Sequence, residues 1–141
     1  MAKNAIVGQS GGPTSVINAS LAGVFQACER RGAGRVYGMA HGVQGLLEEK
    51  IVDLSATLTS QLDIELLKRT PSSYLGSCRY KLPDPAEDTA VYERLFAILK
   101  KLDIGYFFYI GGNDSMDTIC KLSDYAKTVG SDIRFMGVPK T

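Results

Sequence analysis

Apolar residues along this chain fall into short clusters closed by glycine and longer stretches at helical spacing, and the two kinds of segment alternate. Residues 4–7 read as a short buried strand. After a glycine-rich turn at 8–14, residues 15–31 set Ile17, Leu21, Phe25 and Cys28 at three- and four-residue intervals, which predicts an amphipathic helix. Gly32 and Gly34 end it. Residues 35–40 predict a second strand, while 41–45 is too rich in glycine to be regular. Residues 51–54 suit a short strand or an extended connection, and 61–69 a short helix. The stretch 71–85, with three prolines, reads as a long loop of the kind that usually carries function. The clearest amphipathic helix is 87–102, with Val91, Leu95, Ile98, Leu99 and Leu102 on one face and Lys100 and Lys101 at its negative end. A fully apolar strand at 106–110, a helix at 115–129 and a strand at 133–138 follow, with Gly111 and Gly112 between the first two.

Strands that alternate with helices imply an α/β fold: a parallel, Rossmann-like sheet in three layers, covered by helices on both faces. The 141 residues fit one domain over 1–141, and an apolar content of 45% is enough for a core. A net charge of +1, spread without long runs of one sign, gives no electrostatic support for nucleic acid or membrane surfaces as partners. No apolar run approaches the roughly 20 residues of a membrane span, and residues 1–7 lack a signal-peptide layout, so a cytoplasmic location is expected. Cys28, Cys78 and Cys120 lie far apart and read as reduced thiols, with Cys28 and Cys120 expected in the core.

Candidate chemistry gathers at two strand-to-helix turns. Gly8-Gln9-Ser10-Gly11-Gly12-Pro13-Thr14-Ser15 lets backbone amides approach an anion at a helix start, although two adjacent glycines suit an ordinary turn equally well. It is neither a Walker A loop nor a dinucleotide GxGxxG. Gly111-Gly112-Asn113-Asp114-Ser115 repeats the design after the apolar strand, with Ser115 as a candidate N-cap; Asn113 and Asp114 also suit turn and capping roles. If both strands are parallel in one sheet, both turns open onto one edge. Arg79 could grip phosphate oxygens through a planar guanidinium or could be a solvated loop residue, and Lys140 puts a compact charge at a strand end. Aromatic Tyr106, Phe107, Phe108 and Tyr109 read as core strand, and His41 as structural or solvated. Glu48, Glu49 and Lys50 read as a solvated edge.

Four pieces in fixed order resemble the phosphofructokinases. SGGPTSVINA is similar to their SGGxxPGxN opening, LGSCR to their phosphate-contacting arginine segment, GGNDS to their GGDGS loop, and GVPKT to the start of their PxTID loop. The resemblance implies that Gly11 and Gly12, with Gly112 and Ser115, contact the phosphates of the donor. It further implies that Arg79 neutralises the transferring phosphoryl group and that Thr141 approaches fructose 6-phosphate. Magnesium is the implied cofactor, with Asn113 at the metal position; most members have aspartate there, and a neutral amide oxygen is the weaker ligand for a hard cation. Ser15 is a second departure, standing where the family commonly has glycine.

Asp114 and Lys140 each replace a glycine of the ATP-dependent members, a combination similar to the pyrophosphate-dependent pattern. An Asp114 carboxylate near the inner phosphates adds bulk and like charge where a nucleotide must continue and pyrophosphate ends. Lys140 would stabilise the charge that develops on the leaving pyrophosphate. The implied activity is reversible, magnesium-assisted transfer from pyrophosphate to fructose 6-phosphate, giving fructose 1,6-bisphosphate in glycolysis, with Lys140, Asp114 and Arg79 as the catalytic set. An ATP-dependent phosphofructokinase and a non-catalytic phosphate- or nucleotide-binding module are the alternatives. The family's catalytic aspartate and sugar-phosphate domain are expected beyond Thr141, so the chain by itself is expected to be inactive and the full-length protein a homo-oligomer.

Overall fold

Five strands, β1 (Asn4–Gln9), β2 (Val36–Met39), β3 (Ile51–Asp53), β4 (Ile104–Gly111) and β5 (Arg134–Pro139), form one sheet in the order β3-β2-β1-β4-β5. Around it lie α1 (Ser15–Arg30), α2 (Gly42–Leu47), α3 (Leu54–Thr57), α4 (Ala90–Lys101) and α5 (Asn113–Val129). The computed structural model describes residues 3–9, 15–32, 34–57, 64 and 89–139. The predicted helix at 61–69 lies outside these except for Ile64, which is buried, and the predicted loop at 71–85 lies outside them altogether.

The β1–β2, β1–β4 and β4–β5 pairs are parallel, as expected from the alternating pattern. The edge strand departs from it, because β3 runs antiparallel to β2. A parallel return needs a crossover of about a dozen residues or more, usually a full helix. Here the chain turns back through the single short helix α2, and the Ala40 N–H donates to the Lys50 carbonyl at 3.0 Å across the mouth of that excursion.

Side chains on successive strand residues supply two cores. Ile6, Ile104, Phe107 and Tyr109 pack with Val43 and Leu46 of α2, Tyr92, Leu95 and Leu99 of α4, and Ile119 and Leu122 of α5. Ala5, Val7, Val36 and Ile110 pack on the other face with Leu21, Ala22, Phe25 and Cys28 of α1 and with Leu54. Along α1 the buried positions recur at the intervals that the sequence pattern predicts. The helix gives way at Gly32, whose φ of +73° is the left-handed value expected after a helix end. Lys100 and Lys101 occupy the last turn of α4 as anticipated.

Coverage of the second face is incomplete among the described residues. Near the start of β4 and β5, Tyr106 is 37% exposed and Met136 36%. These two, with Phe108, Arg134, Cys28 and Arg31, line an open cavity of about 520 Å³ at the end of α1. The expectation that the whole 106–109 run is core therefore holds for Phe107 and Tyr109 but not for Tyr106, which lines this cavity. Cys120 is likewise exposed rather than core, because it lies on the outer side of α5, whereas Cys28 is buried as expected. The charged stretch 48–50 is a solvated edge, with Lys50 paired to Glu48 and Lys101 to Glu49, each at 2.9 Å.

At the edge where the strands begin, Asn4 acts as a clasp. Its amide donates to the Leu102 carbonyl at 2.7 Å, and its carbonyl accepts the Arg35 N–H at 2.7 Å. The entries to β1, β2 and β4 are thus held together away from the edge where the glycine turns emerge.

Candidate donor-phosphate site

Because β1 and β4 are adjacent and parallel, they end side by side. Gln9 registers with Ile110, and Gly111 in turn with Pro139 of β5. The turn that follows β1 and the turn that follows β4 therefore leave one edge of the sheet at its centre, at the point where the winding of the fold reverses direction. In open α/β sheets that crevice is where ligands bind.

The second turn is very short. Gly112 caps α5 in an extended conformation (φ −90°, ψ −150°), and the first helical hydrogen bond runs from the Met116 N–H to the Gly112 carbonyl at 3.1 Å. α5 is 17 residues long, and in such a helix the N–H groups of the first turn point out of its start. Ser115 is not the N-cap that its type suggested. With the helix beginning at Asn113, Ser115 sits within the first turn and is 2% exposed.

Gly112 is informative because neither backbone nor packing demands it. Its φ is open to any residue, and a Cβ built on it meets no described atom within 4 Å. Among the described residues nothing would oppose a side chain there, which suits a glycine kept for close ligand approach. Gly137 is the opposite case, since a Cβ there would fall 2.4 Å from the Met116 sulfur. Its bareness lets the first turn of α5 lie against β5, beside Gly111 and Pro139.

Of the predicted site residues, Gly112 and Ser115 are thus brought to one place, and the backbones of Asn113 and Asp114 open α5 there. Gly11, Gly12, Arg79, Lys140 and Thr141 lie outside the described residues. Among the described residues no group of three or more His, Cys, Asp or Glu could cage a metal. His41 holds a left-handed turn (φ 60°) ahead of α2, in keeping with a structural role. The glycines that follow it form a helix rather than the irregular loop expected from composition. Gly45 is the cause, for a Cβ on it would fall 1.5 Å from the Ala40 carbonyl oxygen, so the residue serves close packing and not flexibility. Sequence reasoning also passed over Gln9 and Thr118, which are fully and almost fully buried polar residues at this edge. The legible signal for Gln9 was a polar residue closing an otherwise apolar strand.

A doubly wound, mostly parallel α/β sheet whose central strands β1 and β4 end side by side at the start of α5 defines a protein of the open-sheet class. The chain belongs to the phosphofructokinase family, which it matches over residues 4–141. It is 44% identical over 140 residues to the pyrophosphate–fructose 6-phosphate 1-phosphotransferase of Halomonas elongata, covering 98% of this chain and 33% of that protein. With the enzyme of the same name from Methylococcus capsulatus it shares 43% identity over 142 residues, covering 99% and 33%. The crystal structure of a pyrophosphate-dependent phosphofructokinase from Nitrosospira multiformis superposes with a TM-score of 0.89 at 45% identity, covering all of this chain and 34% of that one. The chain spans about a third of the length of these relatives.

Proposed function

We propose that this chain is the donor-binding unit of an enzyme that moves a phosphoryl group reversibly between pyrophosphate and the 1-hydroxyl of fructose 6-phosphate. The observation that carries the reading is that β1 and β4 end side by side, with the open Gly112 at the start of α5. The relatives named above, at 43% and 44% identity, support pyrophosphate as the donor.

Phosphoryl transfer leaves little covalent work to the protein, so positioning and charge stabilisation are its main contributions. In this reading Gly11 and Gly12, together with Gly112, Ser115 and the first amides of α5, hold the donor phosphates. Arg79 neutralises the transferring group, Lys140 the leaving one, and Thr141 meets the sugar phosphate. Asp114 excludes a longer nucleotide by charge and bulk. Magnesium fits a site poor in carboxylates, because the ion keeps several waters and binds mainly through phosphate oxygens, with Asn113 or Asp114 as a protein ligand. It would offset phosphate charge in the complex. Among the described residues no helix is long and apolar enough to cross a membrane. On the same reading the longer enzyme works in the cytoplasm as a homo-oligomer, with no nucleic-acid partner.

Calorimetric titration of the purified 141-residue chain with magnesium pyrophosphate and, separately, magnesium ATP tests the donor assignment. Pyrophosphate should bind and Arg79→Ala should weaken it. Tighter binding of ATP would turn the reading toward the ATP-dependent members, and heat from neither donor would refute a donor site in this chain.

A further inference from the structure

The sheet face that carries α1 is covered unevenly. Along the β4–β5 ladder the paired residues Tyr106 and Arg134, Phe108 and Met136, and Ile110 and Val138 share that face, because alternate strand residues point to one side. Ile110 is fully buried, Phe108 and Val138 are half-buried, and Tyr106, Arg134 and Met136 are exposed. Burial thus fades from the strand ends toward the strand starts. On the opposite face Ile104, Phe107 and Tyr109 are buried against α2, α4 and α5. The open cavity beside α1 is the result: apolar Tyr106, Phe108 and Met136 line it together with Arg31 and Arg134. Among the described residues neither arginine is in an ion pair, whereas Lys3 in the same lining is held by Asp103 at 2.8 Å.

We propose that this face is the seat of an acidic amphipathic helix, supplied by the part of the longer enzyme that this chain does not span. Three observations select that occupant. Mostly parallel sheets are covered by helices on both faces, and here the cover is incomplete over one side of β4 and β5. The chain amounts to 33% of the Halomonas elongata relative and 34% of the Nitrosospira multiformis structure, so the longer protein has ample chain for a further helix. Arg31 and Arg134 call for carboxylates on that helix, because a covered guanidinium without a counter-charge is costly. The cavity lies by the strand starts, at the end of the sheet away from Gly112, so the helix joins the two parts of the enzyme without entering the donor site. The inference rests on the reading of this chain as one unit of a longer enzyme and is independent of which donor that enzyme uses.

The test makes Met136→Cys in both the full-length enzyme and the 141-residue chain and follows maleimide labelling by peptide mass mapping. The introduced thiol should react at least about tenfold more slowly in the full-length enzyme, the mark of a covered site. Diluting the enzyme until its subunits separate should leave that protection in place. Equal rates in the two proteins overturn the proposal. Protection that dilution removes overturns it too, since the occupant would then be a second subunit. Arg134→Glu tests the charge. It should lower the melting temperature of the full-length enzyme by about 3 °C or more and leave that of the 141-residue chain within about 2 °C, because only the former holds the opposing carboxylates. An unchanged melting temperature in the full-length enzyme would overturn the acidic helix as the occupant. Failure of the enzyme to use pyrophosphate counts against the donor reading alone, and the labelling comparison still decides what covers this face.

Discussion

The Tyr109 hydroxyl accepts the Val43 N–H at 3.1 Å inside the core. Tyr109 ends near the C-terminal edge of β4, and Val43 belongs to the first turn of α2, so the bond fastens a helix from one side of the sheet to a strand beyond its centre. It also gives an acceptor to an amide that α2 cannot serve itself. The aromatic ring lies against Gly8, where a Cβ would come within 3.1 Å of it. Tyr109 thus ties α2 and β1 to β4 beside the candidate site without belonging to it.

Tyr109→Phe should therefore cost about 1–2 kcal/mol, because a buried N–H loses its acceptor while the apolar packing is kept. Urea unfolding of the two proteins checks this. An unchanged midpoint with an unchanged slope would show that Val43 finds another acceptor.

Two glycines should respond oppositely to alanine. Gly45→Ala drives a Cβ into the Ala40 carbonyl and should cost about 3 kcal/mol or more, since backbone and not a flexible side chain must yield. Gly23 lies exposed within α1 with nothing near its Cβ direction, so Gly23→Ala should stabilise by about 0.5–1 kcal/mol. Thermal melts of both variants decide whether the 41–47 segment depends on packing as argued.

That segment also shows where sequence reasoning stops. Period and punctuation reveal the elements because local chain chemistry makes them: the Ile17, Leu21, Phe25 and Cys28 spacing and the Gly111-Gly112 break say helix and strand end without any partner. Gly45 has the same identity as a flexible loop glycine, and only the approach of Ala40, set by the return of the chain to β3, turns it into a helix residue. Tyr106 and Cys120 fail for a related reason. Apolar type reports a preference for burial, whereas the partner that would bury them belongs to tertiary structure. The side-by-side ending of β1 and β4 was legible once the two were taken as parallel neighbours. The short run from Gly112 into α5 was not, because Ser115 has the stronger capping chemistry of the two.

Burial holds the Cys28 thiol pKa above its ordinary value, with Arg31 opposing the shift. The folded thiol thus stays neutral at a pH where the unfolded one ionises. This contribution to stability is complete below the usual thiol range, about 8.5, and is lost as pH rises toward the folded value. Iodoacetamide at pH 8 should label exposed Cys120 in the folded chain and reach Cys28 only when urea is added, with peptide mass mapping as the readout. Equal labelling of both would contradict the packing of α1 on the sheet.

Replacing Asn113 with aspartate restores a charged oxygen at the start of α5, where the helix dipole also favours negative charge. In the enzyme of full length, Asn113→Asp should lower the magnesium concentration that gives half-maximal rate by a few fold. Superimposable magnesium titrations would place the ion elsewhere.

Donor choice gives the sharpest test of the site. Pro139, the residue before Lys140 in the sequence, registers with Gly111, and the backbone of Asp114 lies in the first turn of α5. If Asp114 keeps nucleotides out and Lys140 stabilises departing pyrophosphate, the double variant Asp114→Gly, Lys140→Gly should lose on one donor and gain on the other. Each charge interaction aimed at the transition state is worth about tenfold in rate or more. The ratio of kcat/KM for pyrophosphate to that for ATP should therefore fall by about a hundredfold, with the KM for fructose 6-phosphate little changed. The single variants separate the causes. Asp114→Gly should mainly admit ATP, because it removes a clash and a repulsion, while Lys140→Gly should mainly slow pyrophosphate through kcat. If the double change leaves the donor ratio where it was, discrimination does not reside in these two side chains, and the steric and electrostatic account of it is wrong.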